Sequence, residues 1–243
     1  REILIITTPG DLRLFEALLG DGSQWGISIE YATQSEPRGL AEAFIIGADF
    51  VGERDTVLIL GDNIFFGHDF VTALQAADTR PEGATVFGYW VRDPQRYGVL
   101  EFDQDQRPLR IIEKPRQPPS HYAVTGLYFY DNAVIDIARE VRPSARDELE
   151  ITDVNNAYLD RGTLHVERLG RGVAWLDTGT EQSLLQAASF IHTIEQRQGL
   201  RIACLEEIAL RMGLIDTEQV LRLAGEQSNS AYGDYLRQVC GFE

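Results

Sequence analysis

Lysine is almost missing from this sequence. Among 243 residues only Lys114, in Ile111-Ile112-Glu113-Lys114-Pro115, carries an ammonium, although lysine and arginine together number 22. Cysteine is nearly as rare: Cys204 and Cys240 stand alone, with no CxxC and no Cys/His ligand spacing, so neither a disulfide framework nor a zinc site is indicated. No apolar run approaches the roughly 20 residues that a membrane span needs. Arg1-Glu2 leads straight into Ile3-Leu4-Ile5-Ile6 without the features of a secretory leader. A cytoplasmic protein away from membranes is therefore expected. Positive charge is outnumbered, 22 basic against 38 acidic residues for a net charge of -16, which disfavours nucleic acid, whose binding depends on many cations displacing counterions. Also lacking is a glycine-rich run after the first strand: Thr7-Thr8-Pro9-Gly10-Asp11 has nothing to cradle a triphosphate.

What is present describes a globular chain. With 44% hydrophobic and 25% charged residues, the sequence can build one large domain, or one domain with an appendage. Apolar runs of strand length alternate with stretches of helical period: strands at 3–6, 27–32 and 56–60, helices at 11–19, 39–51 and 68–77, and a turn at Gly61-Asp62-Asn63. This rhythm predicts an α/β fold, Rossmann-like, with a mostly parallel central sheet flanked by helices. Runs at 84–91, 98–102, 109–113 and 122–130 are rich in β-branched and aromatic residues and predict antiparallel additions. Helices are expected at 131–141, 151–160 and 181–198, and strands at 164–168 and 173–176. The division predicted is an α/β domain over 1–199 and a C-terminal helical appendage over 200–243, with helices near 205–212 and 217–224.

Three groups of residues could carry chemistry. Lysine presents a compact charge on a flexible stem where arginine presents a rigid fork, so a site that keeps the sole lysine suits contact with a single phosphate oxygen. A solvated surface lysine paired with Glu113 is the competing account. Asp62 and Asp177 each follow an apolar run directly, so both fall at strand ends. Two carboxylates meeting at the carboxyl edge of a sheet suit Mg2+, which takes one or two protein carboxylates plus ligand phosphates. Either Asp alone is better accounted for as a turn former or cap. Gln34-Ser35-Glu36-Pro37-Arg38-Gly39 lies between a strand and a helix, where a Gln amide can read a base edge and Gly39 permits a close backbone approach.

Gln34-x-x-Pro37-x-Gly39-Leu40-Ala41, Leu60-Gly61-Asp62-Asn63, Glu113-Lys114-Pro115, Ala123-Val124-Thr125-Gly126-Leu127-Tyr128 and Trp175-Leu176-Asp177-Thr178-Gly179-Thr180 occur in this order across most of the chain. Together they resemble the glucose-1-phosphate thymidylyltransferases, sugar nucleotidyltransferases that make dTDP-glucose for deoxysugar and rhamnose pathways. The resemblance implies that dTTP and glucose 1-phosphate are the substrates and Mg2+ the cofactor. It implies that Gln34, Pro37 and Gly39 read the thymine nucleotide, and that Asp62 and Asp177 hold the metal. It further implies that Gly98, Glu113, Val124 and Tyr128 form the sugar pocket and that Lys114 holds the sugar phosphate. The implied reaction is in-line attack of that phosphate on the α-phosphorus of dTTP, with release of pyrophosphate and no general base.

The family is usually a homotetramer with a second nucleotide site for feedback inhibition by dTDP-sugars, and Phe66, Gly67, Glu207, Ile208 and Arg211 resemble parts of that site. A packed appendage with an exposed Arg accounts for the same residues. The family also opens with a strand and a Gly-Gly-x-Gly-Thr-Arg-Leu loop that this sequence does not contain, so an N-terminally shortened chain without turnover is expected. Open beside this reading stand a uridylyl- or cytidylyltransferase of the same fold, a non-catalytic sugar-nucleotide-binding regulatory subunit, and a glycosyltransferase. The last is disfavoured because Gly61-Asp62-Asn63 offers no Asp-x-Asp motif.

Overall fold

The first apolar run forms β1 (Glu2–Thr7), and it is followed by α1 (Leu12–Leu19), a 3-10 turn at Ser23–Trp25 and β2 (Ser28–Thr33) in a computed structural model that describes residues 1–227 and 229–241. The helix expected over 39–51 divides into α2 (Glu42–Ile46) and α3 (Ala48–Val51) at Gly47, a residue costly in helix interiors. Then come β3 (Thr56–Ile59), β4 (Asn63–Gly67), α4 (Phe70–Asp78), β5 (Ala84–Trp90), β6 (Gly98–Phe102), β7 (Pro108–Glu113) and β8 (Tyr122–Tyr130). The chain continues through α5 (Val134–Glu140), α6 (Ile151–Asp160), β9 (Leu164–Arg168), β10 (Val173–Asp177), α7 (Glu181–Gln198), α8 (Leu205–Arg211), α9 (Thr217–Glu226) and α10 (Ala231–Val239).

The described residues form two compact units, one of residues 37–190 and one of 1–36 with 191–243. Of the appendage expected over 200–243, residues 228, 242 and 243 lie outside those described.

In the larger unit a six-stranded sheet runs β7-β6-β8-β5-β9, with β3 also on β8. The α/β class and the antiparallel additions are as expected, and the balance lies further toward antiparallel pairing than the apolar runs suggest. Only β5 with β9 is parallel in this sheet, while β3, β5 and β6 all run antiparallel to β8. The physical reason is burial: β8 is buried along nearly all of its length, and a strand covered on both faces reads as a continuous apolar run whichever way its neighbours point. Ala84, Val86, Leu100, Tyr128 and Tyr130 pack there with Val134, Ala138, Val154 and Tyr158 of α5 and α6. The buried phenols are satisfied, Tyr130 donating to Asn155 Oδ1 at 2.6 Å and Tyr158 to Asp131 Oδ1 at 2.6 Å. A separate antiparallel pair joins β4 to β10, with Asn63 opposite Asp177 and Gly67 opposite Val173. The expected turn holds at Gly61 and Asp62, and β4 begins at its last residue, Asn63, because its edge finds β10 far along the chain.

In the smaller unit β1 and β2 pair in parallel, from Glu2 opposite Ser28 to Thr7 opposite Thr33. α8, α9 and α10 share a core of Cys204, Val220, Ala224, Tyr235, Leu236 and Val239. Glu206 and Glu207 are buried but partnered, the former by Trp25 Nε1 at 3.3 Å and the Tyr232 hydroxyl, the latter by the Tyr235 hydroxyl and Arg211. Cys204 and Cys240 are free thiols, and burial pushes the Cys204 thiol up. Among the described residues no helix is long and apolar enough to cross a membrane.

Candidate active site

β8 meets β5 along one edge and shares the other between β6, at Ala123, and β3, from Leu127 to Tyr130. Between those two contacts lie Val124, Thr125 and Gly126. The pairing with β5 is irregular at the same place: Val86 faces Tyr128 and Gly88 faces Val124, so β8 takes more residues than β5 to cover the stretch. Such bulges bend a strand and re-aim its side chains.

Asp62 follows β3 and Asp177 ends β10, and the structure brings them together. Thr178 N and Oγ1 both donate to the Asp62 carbonyl, at 2.8 and 2.9 Å. A Cβ built on Gly179 would stand 3.0 Å from Asp177 Oδ1 and 3.3 Å from Asp62 Oδ2, so both carboxylates face the same glycine. Asp62 Oδ1 accepts from Asn63 Nδ2 at 2.7 Å. The Asn63 amide is fixed from its other end, since Oδ1 accepts from Gly126 N at 3.0 Å and from Trp175 Nε1 at 2.6 Å. Both are obligate donors, which leaves Nδ2 to face the carboxylate. Asp177 Oδ1 accepts from Gly179 N at 2.9 Å; its Oδ2 accepts from the Tyr97 hydroxyl at 3.1 Å and lies 3.4 Å from Arg96 Nη2. Burial first, and Asp177 second, push the Tyr97 phenol up to about 12.

Gly98, Glu113, Lys114, Val124 and Tyr128 gather in the same unit. Gly98 pairs with Glu113 across β6 and β7, and a Cβ there would meet Thr152 Oγ1 at 3.2 Å and Glu113 Oε2 at 3.4 Å. Glu113 Oε2 accepts from Thr152 Oγ1 at 2.6 Å, and its Oε1 lies 3.3 Å from Arg146 Nη2 and 3.8 Å from Lys114 Nζ. Arg146 is gripped by Glu150 at 2.8 Å and Glu148 at 3.2 Å as well. Tyr128 is 4% exposed, and burial, then Glu113, then Asp62 raise its phenol well above its ordinary value. Its ring therefore lies in the field of both carboxylates, one beside Lys114 and one beside Asp177.

Lys114 itself has φ +41, the left-handed region, and donates its N–H to the Tyr97 carbonyl at 3.0 Å. That conformation is uncommon for a side-chain-bearing residue, and the residue before a proline is restricted further. Backbone held in a sparsely populated region clusters at functional sites.

The remaining expected residues are placed less informatively. Gln34 belongs to the smaller unit, donating its N–H to the Thr7 carbonyl at 2.9 Å, whereas Pro37 and Gly39 belong to the larger. Gly39 has φ +101, and a Cβ there would sit 2.3 Å from the Leu149 carbonyl oxygen. The main chain that comes close at Gly39 is thus that of Leu149. Phe66 and Gly67 fall in the larger unit and Glu207, Ile208 and Arg211 in the smaller. Asn63, Tyr97, Arg96, Arg146, Thr152 and Trp175 are absent from the sequence-based site. Asn63, Arg96, Tyr97 and Trp175 stand within two positions of Asp62, Gly98 or Asp177, whereas the partners that give them their place are remote in the chain.

Among the described residues no group of three or more His, Cys, Asp and Glu side chains is arranged to hold a metal ion. Two hard carboxylates facing one point fit a cation that draws its other ligands from water and phosphate.

Comparison with known proteins gives the family of the chain. The nucleotidyl transferase family matches residues 1–194. The glucose-1-phosphate thymidylyltransferase of Xanthomonas campestris pv. campestris strain B100 is 59% identical over 236 residues, covering 97% of this chain and 80% of its own. Those of Neisseria gonorrhoeae and Mycolicibacterium smegmatis are 54% and 55% identical, covering 99% and 98% of this chain and 84% and 83% of their own. A crystal structure assigned to the Bacillus anthracis glucose-1-phosphate thymidylyltransferase, in complex with sucrose, superposes with a TM-score of 0.70 at 41% identity over 77% of this chain and 74% of its own. A UDP-glucose pyrophosphorylase complexed with UDP-glucose shares the fold alone, with a TM-score of 0.65 at 21% identity over 79% of this chain and 81% of its own.

Proposed function

We propose roles for individual residues on a fixed premise: the chain belongs to the glucose-1-phosphate thymidylyltransferase family of nucleotidyl transferases. The family's reaction joins dTTP and glucose 1-phosphate to give dTDP-glucose and pyrophosphate. One observation carries the assignment, the convergence of Asp62 and Asp177 on Gly179.

Asp62 and Asp177 would hold Mg2+, which when bound supplies charge neutralisation for the phosphates brought together there. Lys114 meets the phosphate of glucose 1-phosphate, and Arg146, linked to it through Glu113, adds a second cation to the same wall. Glu113 accepts hydrogen bonds from sugar hydroxyls, with Gly98 leaving room beside it and Val124 and Tyr128 forming the apolar floor. Gln34, Pro37 and Gly39 take the thymine nucleotide. The phosphate nucleophile is ionised at neutral pH, so these residues contribute by positioning two anions in line and by offsetting their repulsion. In a chain of net charge -16 that offset has to be local.

The same reading includes a cytoplasmic homotetramer, a feedback-inhibitory dTDP-sugar site involving Phe66, Gly67, Glu207, Ile208 and Arg211, and a catalytic portion over residues 1–199 with a helical appendage over 200–243. Turnover is measured on the chain extended by the family's Gly-rich triphosphate loop, with dTTP and UTP in competition and pyrophosphate release as the signal. Preference for dTTP is expected; preference for UTP overturns the thymidylyl assignment.

A further inference from the structure

The structure assigns to Tyr97 a positioning role that joins the two halves of the site: its hydroxyl holds Asp177 while its carbonyl holds the main chain of Lys114. This rests on the reading of Asp177 as a cation ligand and of Lys114 as the phosphate contact.

Three observations carry it. Tyr97 closes the 3-10 turn Pro94–Arg96 immediately before β6, so its backbone continues the β6–β7 ladder beyond the Gly98–Glu113 pair. There it accepts the Lys114 N–H at 3.0 Å, at the residue with φ +41. The side chain points the opposite way along the site. Its ring lies 5.0 Å from the Trp175 ring, centroid to centroid, and its hydroxyl donates to Asp177 Oδ2 at 3.1 Å. Trp175 is itself fixed by its indole N–H on Asn63, so the platform under Tyr97 is tied to Asp62 through Asn63 as well. Tyr97 therefore spans the distance between the carboxylate pair and the lysine, with opposite hydrogen-bonding groups at its two ends. Partners of this kind, which orient a metal ligand from behind, typically change metal affinity about 10- to 100-fold when removed.

Tyr97→Phe separates the two ends, because it removes only the hydroxyl and keeps the ring on Trp175 and the carbonyl on Lys114. Mn2+ alone is titrated into residues 1–243 and followed by electron paramagnetic resonance; glucose 1-phosphate is titrated separately, without metal, by calorimetry; thermal unfolding is recorded on each variant. Tyr97→Phe is expected to weaken Mn2+ about tenfold, to leave glucose 1-phosphate affinity unchanged and to unfold in a single cooperative transition as the parent does. Asp177→Asn, run alongside, is expected to weaken Mn2+ more. If Asp177→Asn weakens Mn2+ and Tyr97→Phe does not, Tyr97 is a packing residue and the inference falls alone. If neither variant changes Mn2+ affinity, the cation reading fails and takes this one with it. A loss of glucose 1-phosphate binding in Tyr97→Phe also overturns it, since the carbonyl that holds Lys114 is intact.

Discussion

Gly126 and Asn63 touch so closely that no side chain fits between them: the Gly126 N–H meets Asn63 Oδ1 at 3.0 Å, and a Cβ on Gly126 would stand 2.6 Å from the same oxygen. Gly126→Ala must push the Asn63 amide away, loosening its hold on Asp62 and Trp175 together. Overpacking of this kind costs about 1–3 kcal/mol. A drop in the unfolding midpoint of a few degrees for each kcal/mol is expected at this chain length, about 2–4 °C, accompanied by weakened Mn2+ binding. An unchanged midpoint would show that the amide moves freely.

Lys114 offers a test in which stability and function part. Lys114→Gly relieves the φ of +41 and is expected to raise stability by about 1 kcal/mol, strain relief outweighing the freedom glycine adds to the unfolded chain. The same variant should lose calorimetrically detectable glucose 1-phosphate binding. Lys114→Arg should keep the midpoint and weaken the sugar phosphate about tenfold, because a planar fork does not reproduce a point contact. Equal binding by Lys114→Arg would return this residue to the solvated surface.

Thr125 sits on β8 with its hydroxyl fully buried and, among the described residues, without a hydrogen-bond partner. A buried hydroxyl left unpaired costs about 1–3 kcal/mol. Thr125→Val, of similar shape, is therefore expected to raise the unfolding midpoint by several degrees in thermal denaturation. A lower midpoint would mean that the hydroxyl is engaged in solution.

The strand that leads to Asp62 and the one that ends in Asp177 are legible in the sequence, because each is an apolar run followed by a polar residue. β4 is not: Asn63-Ile64-Phe65-Phe66-Gly67 is short and glycine-flanked, and becomes a strand only through pairing with β10. α10 is missed for a related reason. Gly233 sits in its first turn, where its N–H meets the Ser230 hydroxyl and a Cβ would stand 2.5 Å from the Gln227 carbonyl oxygen. The carboxylates and the lysine can be singled out by residue type and position. Asn63, Tyr97 and Arg146 matter through partners remote in the chain, 112 residues away for Asn63 and Trp175 and 80 for Tyr97 and Asp177, and no local pattern encodes that.

The Tyr97 phenol gives a pH signature. Raised from about 10 in the unfolded chain to about 12 in the folded one, it keeps its proton longer when folded. Its contribution to stability is fully present below about pH 10 and is lost as pH climbs through about 12. Denaturant melts across that window should show stability falling with a shallower slope in Tyr97→Phe; an identical slope would place the alkaline transition elsewhere.

β8 has a consequence for how damage spreads. Side chains alternate across a strand, so slippage by a single position would turn Val124 and Tyr128 to the opposite face and carry Ala123, Leu127 and Phe129 the other way. The two faces of one ribbon thus pack into different hydrophobic clusters, Val124 and Tyr128 into the larger and Leu127 and Phe129 into the smaller. A chain that misaligns it would not persist as a stable but inert protein; loss of ligand capture and loss of the folded state would arrive as a single event.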